Sequence, residues 1–181
     1  MPNAPWQQKI FILKLIKQMF KTGDKVRILD VGCGIGSTGC ILKTGLANLK
    51  LTLIGLEVFD LYRQYMHENN IDDIYDAVLP YNIKGYLDYL PSDFFSAILF
   101  IDVLEHMTTI DAVESYNKAQ CTSSHIIATI PLTASKRGSD GINPYMAHLE
   151  AYPTIESVTS TFPGLKHIKT VQQNGVFRWS R

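Results

Sequence analysis

The chain has 181 residues, of which 46% are hydrophobic and 19% are charged, and its 17 basic and 17 acidic residues give a formal net charge of zero. This composition is typical of a globular protein and excludes a disordered chain. It offers no overall basic surface for nucleic acid, and no apolar run reaches the roughly 18 residues that a membrane span requires.

The amino-terminal segment and the cysteines indicate a cytoplasmic protein. The first residues lack the basic segment, apolar core and cleavage site of a signal peptide. Cys33, Cys40 and Cys121 form no C-x-x-C pair, and an odd number of cysteines without metal-ligand spacing is typical of reduced thiols. We therefore expect a cytoplasmic location and no bound metal, while the oligomeric state stays undetermined.

The hydrophobic pattern predicts helices and strands that alternate along most of the chain. An amphipathic helix is predicted at residues 5–21, with a broad apolar face opposite a lysine edge. Strands are predicted at residues 26–31, 51–56, 75–79, 95–101 and 125–130, and helices at 37–49, 60–70 and 107–119. Apolar strands that alternate with helices are typical of a parallel sheet covered on both faces.

The end of the chain follows a different pattern. Residues 132–152 are rich in turn formers and have no period, and a short helix is predicted at 154–161. Strands at 166–172 and 175–179 follow, joined at Asn174-Gly175, a dipeptide that favours a tight hairpin turn. The predicted fold is α/β and Rossmann-like: a doubly wound, mostly parallel seven-stranded sheet with a C-terminal antiparallel hairpin and an N-terminal helix.

The segment ILDVGCGIGSTG, residues 28–39, follows the first strand and fits two ligand-binding patterns. From Gly34 it reads G-x-G-x-x-G, a dinucleotide-binding turn, whereas from Asp30 it reads as an acid followed by three glycines at alternate positions. The apolar run of the strand ends directly before Gly32, so only the second pattern uses every residue of the turn. Glycines at 32, 34 and 36 let the backbone approach a ligand, and Asp30 is placed to meet a cationic group.

ILDVGCGIG resembles the first motif of class I S-adenosylmethionine-dependent methyltransferases. The resemblance extends over about residues 26–179. IDVLEHM, residues 101–107, supports it, because an acid-x-x-Glu-His run after the fourth strand is a signature of one branch of that family. The terminal hairpin is similar to the family's reversed last strand. The resemblance implies a methyltransferase that uses S-adenosyl-L-methionine and releases S-adenosyl-L-homocysteine.

The resemblance also implies which residues bind the cofactor. Glu57 matches the acid that accepts both ribose hydroxyls in this family. No aspartate after the third strand is in register to bind the adenine amino group, and Asn82 is the residue that could accept the same hydrogen bond. The cofactor-binding residues implied are Asp30, Gly32, Cys33, Gly34, Gly36, Glu57, Val58, Asn82, Asp102 and Val103.

Two histidines are candidate catalytic residues. Methyl transfer depends on alignment, and a hydroxyl acceptor can also need a base that removes its proton. His106 and His148 are expected at the carboxyl edge of the sheet, and imidazole titrates near neutral pH. Structural interpretations stay open, because Asp102 and Glu105 also suit the start of a helix and His106 also suits a gating role.

The acceptor is expected to be held by the N-terminal helix and by residues 132–152. Trp6, Tyr145, Met146 and Tyr152 are predicted to form an apolar wall. The helix could instead lie on an anionic membrane surface or pack against a partner. The expected acceptor is a hydroxyl or amine of a small molecule or glycan, and not nucleic acid.

We expect a single domain over residues 1–181. It divides into the N-terminal helix (1–23), a cofactor-binding core (24–131), an acceptor-side segment (132–152), and the terminal helix and hairpin (153–181). Two other functions stay open. A chain that kept the fold without the chemistry would be a cofactor-binding or scaffolding protein, and use of the Gly34 pattern would make it an NAD-dependent oxidoreductase.

Overall fold

The structure is a computed structural model that describes residues 6–139 and 141–181. Its helices are α1 (Trp6–Met19), α2 (Ser37–Gly45), α3 (Asp60–Glu68), α4 (Ile83–Leu87), α5 (Thr109–Thr122) and α6 (Ile155–Thr161). Its strands are β1 (Lys25–Val31), β2 (Lys50–Leu56), β3 (Ala77–Leu79), β4 (Ala97–Ile101), β5 (His125–Pro131), β6 (Lys166–Val171) and β7 (Asn174–Ser180). Single 3₁₀ turns lie at Asp72–Ile74, Leu104–His106 and Pro144–Met146.

The seven strands form one sheet in the order β3-β2-β1-β4-β5-β7-β6. The first five strands in this order run parallel, and β7 is antiparallel to both β5 and β6. The predicted fold class is confirmed. In the part of the chain that the structure describes, no helix has the length and apolarity needed to cross a membrane.

The two faces of the sheet are covered by different helices. All five residues of β4 are buried, and their side chains alternate between the faces. Ile98 and Phe100 pack with α4, α5 and α6, whereas Ala97, Leu99 and Ile101 pack with α1, α2 and α3. This two-sided burial is why the strand reads as a continuous apolar run in the sequence.

Helix ends differ from their predicted positions for local reasons. The helix predicted at 107–119 begins at Thr109, because the hydroxyl of Thr108 caps it by accepting a hydrogen bond from the Asp111 N–H at 3.2 Å. The helix predicted at 37–49 already ends at Gly45. The five-residue helix α4 was not predicted, since it is too short to show a period.

The predicted position of the terminal turn is wrong by two residues. Val171 pairs with Asn174, so the hairpin loop is Gln172-Gln173 and the Asn-Gly dipeptide lies in β7. Asn174 is used elsewhere, since its side-chain amide donates to Gln8. Gly175 is also explained, because a Cβ atom there would lie 2.5 Å from the ring of Phe177.

Gln172 is exposed and has a left-handed backbone with φ of 56°. This conformation predicts that glycine at position 172 would make the protein more stable. A left-handed non-glycine residue costs about 1–2 kcal/mol, and glycine loses about 0.5–1 kcal/mol of chain entropy on folding. We therefore expect Gln172→Gly to raise the free energy of unfolding by about 0.5–1 kcal/mol in urea titrations. The control Gln173→Gly should lower it, and equal effects of the two variants would contradict the turn.

Candidate functional site

A cavity of about 560 Å³ opens at the carboxyl edge of the sheet. It lies where the strand order reverses, since the chain runs outward from β1 to β3 and then returns to place β4 beside β1. Ligands of open α/β sheets bind at such a point. The strand ends that line the cavity are residues 31–34, 56–58 and 101–103, together with Pro131 and Asn174.

The glycine loop after β1 forms one wall of the cavity. Gly32 and Gly34 have φ of 62° and 57°, a backbone region that favours glycine. A Cβ atom added at Gly34 would meet no atom within 4 Å, so it would project into open space. Gly36 lies outside the lining, and a Cβ atom there would lie 2.7 Å from Ile71. Packing against Ile71 thus explains Gly36, in place of the close approach to a ligand that the sequence predicted.

Glu57 holds this loop from the end of β2. Its Oε2 accepts a hydrogen bond from the Gly34 N–H and its Oε1 accepts one from the Phe59 N–H, each at 2.8 Å. Burial raises the pKa of Glu57, and the two N–H donors oppose this effect. A carboxylate offers about four lone-pair positions, so acceptor capacity remains for ligand hydroxyls. Cys33 and Val58 line the cavity on either side.

Asp30 lies beneath the loop and does not itself line the cavity. The Tyr75 hydroxyl donates to Asp30 Oδ2 at 2.8 Å and accepts from the Gly39 N–H at 3.1 Å. Asp30 Oδ1 is buried without a hydrogen-bond partner among the described residues. Burial is the main cause that raises the pKa of Asp30 to about 7. The direct contact with a cationic group that the sequence predicted is therefore replaced by an enclosed carboxyl group.

Helix α1 contributes Lys9, a residue that the sequence prediction missed. Lys9 is only 4% exposed, lines the cavity, and donates from its Nζ to the Ser37 hydroxyl. Burial lowers the pKa of Lys9, and the carboxylates of Asp30 and Asp102 oppose this effect. One signal was present in the sequence, since Lys9 lies three residues before the buried Ile12 and so shares the apolar face of the helix.

Asp102 occupies the first position after β4 and has a left-handed backbone with φ of 54°. Its Oδ1 accepts hydrogen bonds from Thr129 Oγ1 at 2.7 Å, Gln8 Nε2 at 3.1 Å and Asn174 Nδ2 at 3.2 Å. Burial raises the pKa of Asp102, and the donors Thr129 and Gln8 oppose this effect. Asp102 lines the cavity beside Val103.

His106 and His148 meet at the far side of the cavity. Their ring centroids are 4.8 Å apart and the ring planes are nearly perpendicular, at 85°. His106 Nδ1 lies 3.0 Å from the backbone oxygen of Ala147, to which it donates, so Nε2 carries the lone pair. Burial is the main cause that lowers the pKa of both histidines. Both rings are therefore neutral near pH 7 and can accept a proton or bind a metal ion.

Glu105 lies directly under the two histidines. It is 2% exposed, and neither carboxylate oxygen has a hydrogen-bond partner in residues 6–139 and 141–181. Burial raises the pKa of Glu105 well above its ordinary value. Its backbone oxygen accepts from the N–H groups of Leu149 and Glu150 at 2.9 and 3.1 Å, which ties the acceptor-side segment to the end of β4.

The predicted apolar wall is only partly present. Tyr145 and Met146 line the cavity, but Trp6 is 63% exposed outside it and Tyr152 is buried in the core. The predictions for Trp6 and Tyr152 were wrong, because the position of a residue in the sequence does not show which neighbours its side chain contacts. Asn82 does line the cavity, and its Oδ1 caps α4 by accepting from the Lys84 N–H at 3.0 Å.

A second depression, of about 720 Å³, runs along α4 and α5 on the outer surface. It is a shallow open groove, and its lysine and acids pair with one another, as Lys118 does with Asp88 and Glu114. It contains none of the residues after β1, β2 or β4. The cavity at the carboxyl edge is therefore the candidate functional site.

Solved structures of methyltransferases share this fold. The magnesium protoporphyrin IX methyltransferase of Synechocystis PCC 6803, solved with S-adenosylmethionine bound, has a TM-score of 0.66 and 12% identity over 97% of this chain and 78% of its own. A SAM-dependent methyltransferase from Aquifex aeolicus has a TM-score of 0.63 and 13% identity over 96% of this chain and 93% of its own. Monomeric WbdD has a TM-score of 0.68 and 10% identity over 99% of this chain.

The chain spans 42% of the length of that WbdD structure. No protein-family model and no curated protein matches the sequence. At identities of 10–13% the likeness shows the fold, which is that of class I S-adenosylmethionine-dependent methyltransferases.

The buried position of Asp30 predicts a pH-dependent stability. An unfolded aspartate loses its proton near pH 4, whereas Asp30 in the folded chain does so at about pH 7. Burial outweighs the Tyr75 hydrogen bond and the charge of Lys9, while Glu57 adds to the rise in pKa. Between these two values the folded state holds more protons than the unfolded state, so stability falls as the pH rises.

Asparagine cannot ionise, so Asp30→Asn should remove this loss of stability. We expect the variant to exceed the wild type in free energy of unfolding by on the order of 4 kcal/mol at pH 8, with the gain declining toward pH 4. Urea titrations at four pH values would measure it. A difference that stays constant from pH 4 to pH 8 would show that Asp30 ionises normally.

Proposed function

We propose that the protein is an S-adenosylmethionine-dependent methyltransferase that acts on a hydroxyl, or else an amine, of a small molecule or glycan. The observation that carries the proposal is the glycine loop bonded to Glu57 at the cavity, in a fold that known methyltransferases share. Gly34 leaves room for a ligand at the backbone, whereas a Cβ atom at Gly32 would lie 3.0 Å from the Val103 side chain. Glu57 has acceptor capacity for the two ribose hydroxyls.

The end of the cavity near α1 suits the amino-acid part of the cofactor. That part is zwitterionic, with an ammonium group and a carboxylate group. Lys9 and the Ser37 hydroxyl can face the carboxylate of the cofactor, and Asp102 can face its ammonium group, supported by the charge of Asp30 beneath the glycine loop. Opposite charges placed side by side at one end of a cavity complement such a group better than they would a pyrophosphate.

A dinucleotide cofactor fits this loop less well. In the pattern that starts at Gly34, the third glycine is Gly39, and a Cβ atom there would overlap the hydroxyl of Tyr75. Packing against Tyr75 is therefore sufficient to explain that glycine. The Gly34 N–H is also committed to Glu57 and is not presented to a phosphate. These features support the pattern that starts at Asp30 over an NAD-dependent oxidoreductase.

The bound cofactor would supply a methyl group already activated on a sulfonium, so the protein's main task is to align the acceptor with it. We propose that residues 24–131, together with Lys9 of α1, hold the cofactor and that residues 132–152 hold the acceptor, within a single domain. Tyr145, Met146 and His148 of the second segment line the cavity opposite the glycine loop. A scaffolding protein that kept the fold would bind the cofactor without transferring its methyl group.

Gly34→Ala tests the cofactor position. Its methyl group would project into the cavity, so we expect affinity for S-adenosylhomocysteine to fall by about tenfold to a hundredfold or more, since overpacking by a methyl group costs about 1–3 kcal/mol. Isothermal titration calorimetry would measure the affinity. Gly23→Ala is the matched control, because Gly23 also has a positive φ and open space but lies outside the cavity.

Equal affinities in the two alanine variants would overturn the placement of the cofactor. NAD titrated into the wild type provides a second readout of the loop. If NAD binds and S-adenosylhomocysteine does not, the oxidoreductase alternative replaces the methyltransferase.

Lys9→Met tests the recognition of the amino-acid part. Loss of a hydrogen bond to a charged group costs about 1.5–3 kcal/mol, so affinity for S-adenosylhomocysteine should fall by roughly tenfold to a hundredfold. Affinity for 5′-methylthioadenosine, which lacks the amino-acid group, should not change. Lys14→Met, an exposed lysine on the same helix, is the control. If Lys9→Met weakened both ligands equally, Lys9 would instead be shaping the cavity as a whole.

A further inference from the structure

Three side chains with metal-ligating atoms converge at the acceptor side of the cavity. The carboxylate of Glu105 and one ring nitrogen each from His106 and His148 all lie within 4.8 Å of one another. Two of these residues come from the 3₁₀ turn after β4 and the third from the acceptor-side segment. The backbone hydrogen bonds from Leu149 and Glu150 to the Glu105 oxygen hold the two segments together.

Glu105 gives a reason to expect a cation here. Both of its oxygens are buried without a hydrogen-bond partner among the described residues, although two imidazole rings lie beside them. His148 Nδ1 is likewise buried without a hydrogen-bond partner among the described residues. Unpaired buried carboxylates are strongly unfavourable, and those found in proteins are usually paired or bind a metal.

We infer that Glu105, His106 and His148 form a binding site for one divalent transition-metal ion. The bond from His106 Nδ1 to the Ala147 carbonyl supports this, because ligating histidines usually donate their other N–H to a carbonyl or carboxylate. The bond from His106 Nδ1 to Ala147 leaves His106 Nε2 as the ligand atom. Ligands of one tetrahedral ion lie about 3.4 Å apart, so side-chain rotations that bring the three atoms closer by about 1 Å complete the site.

The ligand set selects the kind of ion. Two imidazole nitrogens and one carboxylate suit Zn²⁺ and neighbouring first-row ions such as Co²⁺ and Mn²⁺, whereas Mg²⁺ and Ca²⁺ prefer all-oxygen sites. Three protein ligands leave at least one coordination position open, as in catalytic zinc sites. All three residues line the cavity, so an ion that they held would be accessible to an acceptor bound there. The expectation of no metal came from cysteine spacing, which does not concern a histidine–glutamate site.

The role of the ion rests on the proposed function. An acceptor hydroxyl that binds the open position would lose its proton to water at a lower pH, because a divalent ion lowers the pKa of a bound oxygen. That oxygen would then form the new bond to the methyl carbon, while the carbon–sulfur bond breaks and its electron pair stays on sulfur. The acceptor class is thus a molecule with a hydroxyl group, and His106 and His148 act as ligands and not as bases.

Cobalt titration of the full chain tests the site without cofactor or acceptor. After the protein has been treated with EDTA and dialysed, it should bind one equivalent of Co²⁺ from CoCl₂ and show visible d–d absorption bands. Addition of ZnCl₂ should displace the Co²⁺ and remove these bands. Glu105→Gln and His148→Gln should each weaken cobalt binding by about a hundredfold or more, because loss of a direct ligand costs at least as much as loss of an outer-shell partner. His67→Gln is the control, since His67 also lies beside an acid, Asp72 at 3.0 Å, but is exposed and outside the cluster.

Thermal unfolding by circular dichroism separates loss of binding from loss of fold. Without metal, Glu105→Gln should unfold at or above the wild-type temperature, because it removes a buried carboxylate. A wild type that binds no cobalt, or a folded Glu105→Gln variant that binds it as tightly as the wild type, overturns the metal site. Calorimetry with S-adenosylhomocysteine on the metal-free protein is independent, so failure there overturns the proposed function and leaves the cobalt result unaffected.

Discussion

The carboxylate of Asp102 is the contact on which the rest of the site depends. It accepts hydrogen bonds from Gln8 in α1, Thr129 in β5 and Asn174 in β7, which are separated from it by 94, 27 and 72 residues along the chain. These bonds join the N-terminal helix and the terminal hairpin to the centre of the sheet. Because Gln8 adjoins Lys9, its bond to Asp102 holds the first turn of α1 at the cavity, where Lys9 donates to the Ser37 hydroxyl.

Buried charge then explains what the cavity can bind. The carboxyl groups of Asp30, Glu57 and Glu105 are nearly inaccessible, and Lys9 is buried near Asp30 and Asp102. Burial raises the pKa of each of these acids, because the carboxylate form is destabilised away from water. A positive charge nearby would stabilise that form. Such a site favours ligands that bring positive charge. A sulfonium with an ammonium group suits the end near Asp30, and a divalent ion suits the end near Glu105.

Sequence patterns predicted the fold and the strand ends well, because both depend on local periodicity and on rules of sheet topology. They placed Gly32, Gly34 and Glu57 at one edge of the sheet, where they do lie together at the cavity. Sequence patterns gave wrong predictions where the same residues can occupy more than one kind of local structure. The Asn174-Gly175 dipeptide favours a turn in isolation, yet contacts with Gln8 and Phe177 hold it in a strand.

The sequence by itself determined the α/β alternation, the turn that starts after β1 and the Asp-x-x-Glu-His run after β4. Each of these features depends only on residues that are neighbours in the chain. Only the tertiary structure decided that Lys9 enters the cavity, that Asp30 lies beneath it and that His148 meets His106 over Glu105. The physical reason is that these contacts join segments far apart in the chain. Their geometry is set by how helices pack on the sheet, which no local spacing encodes.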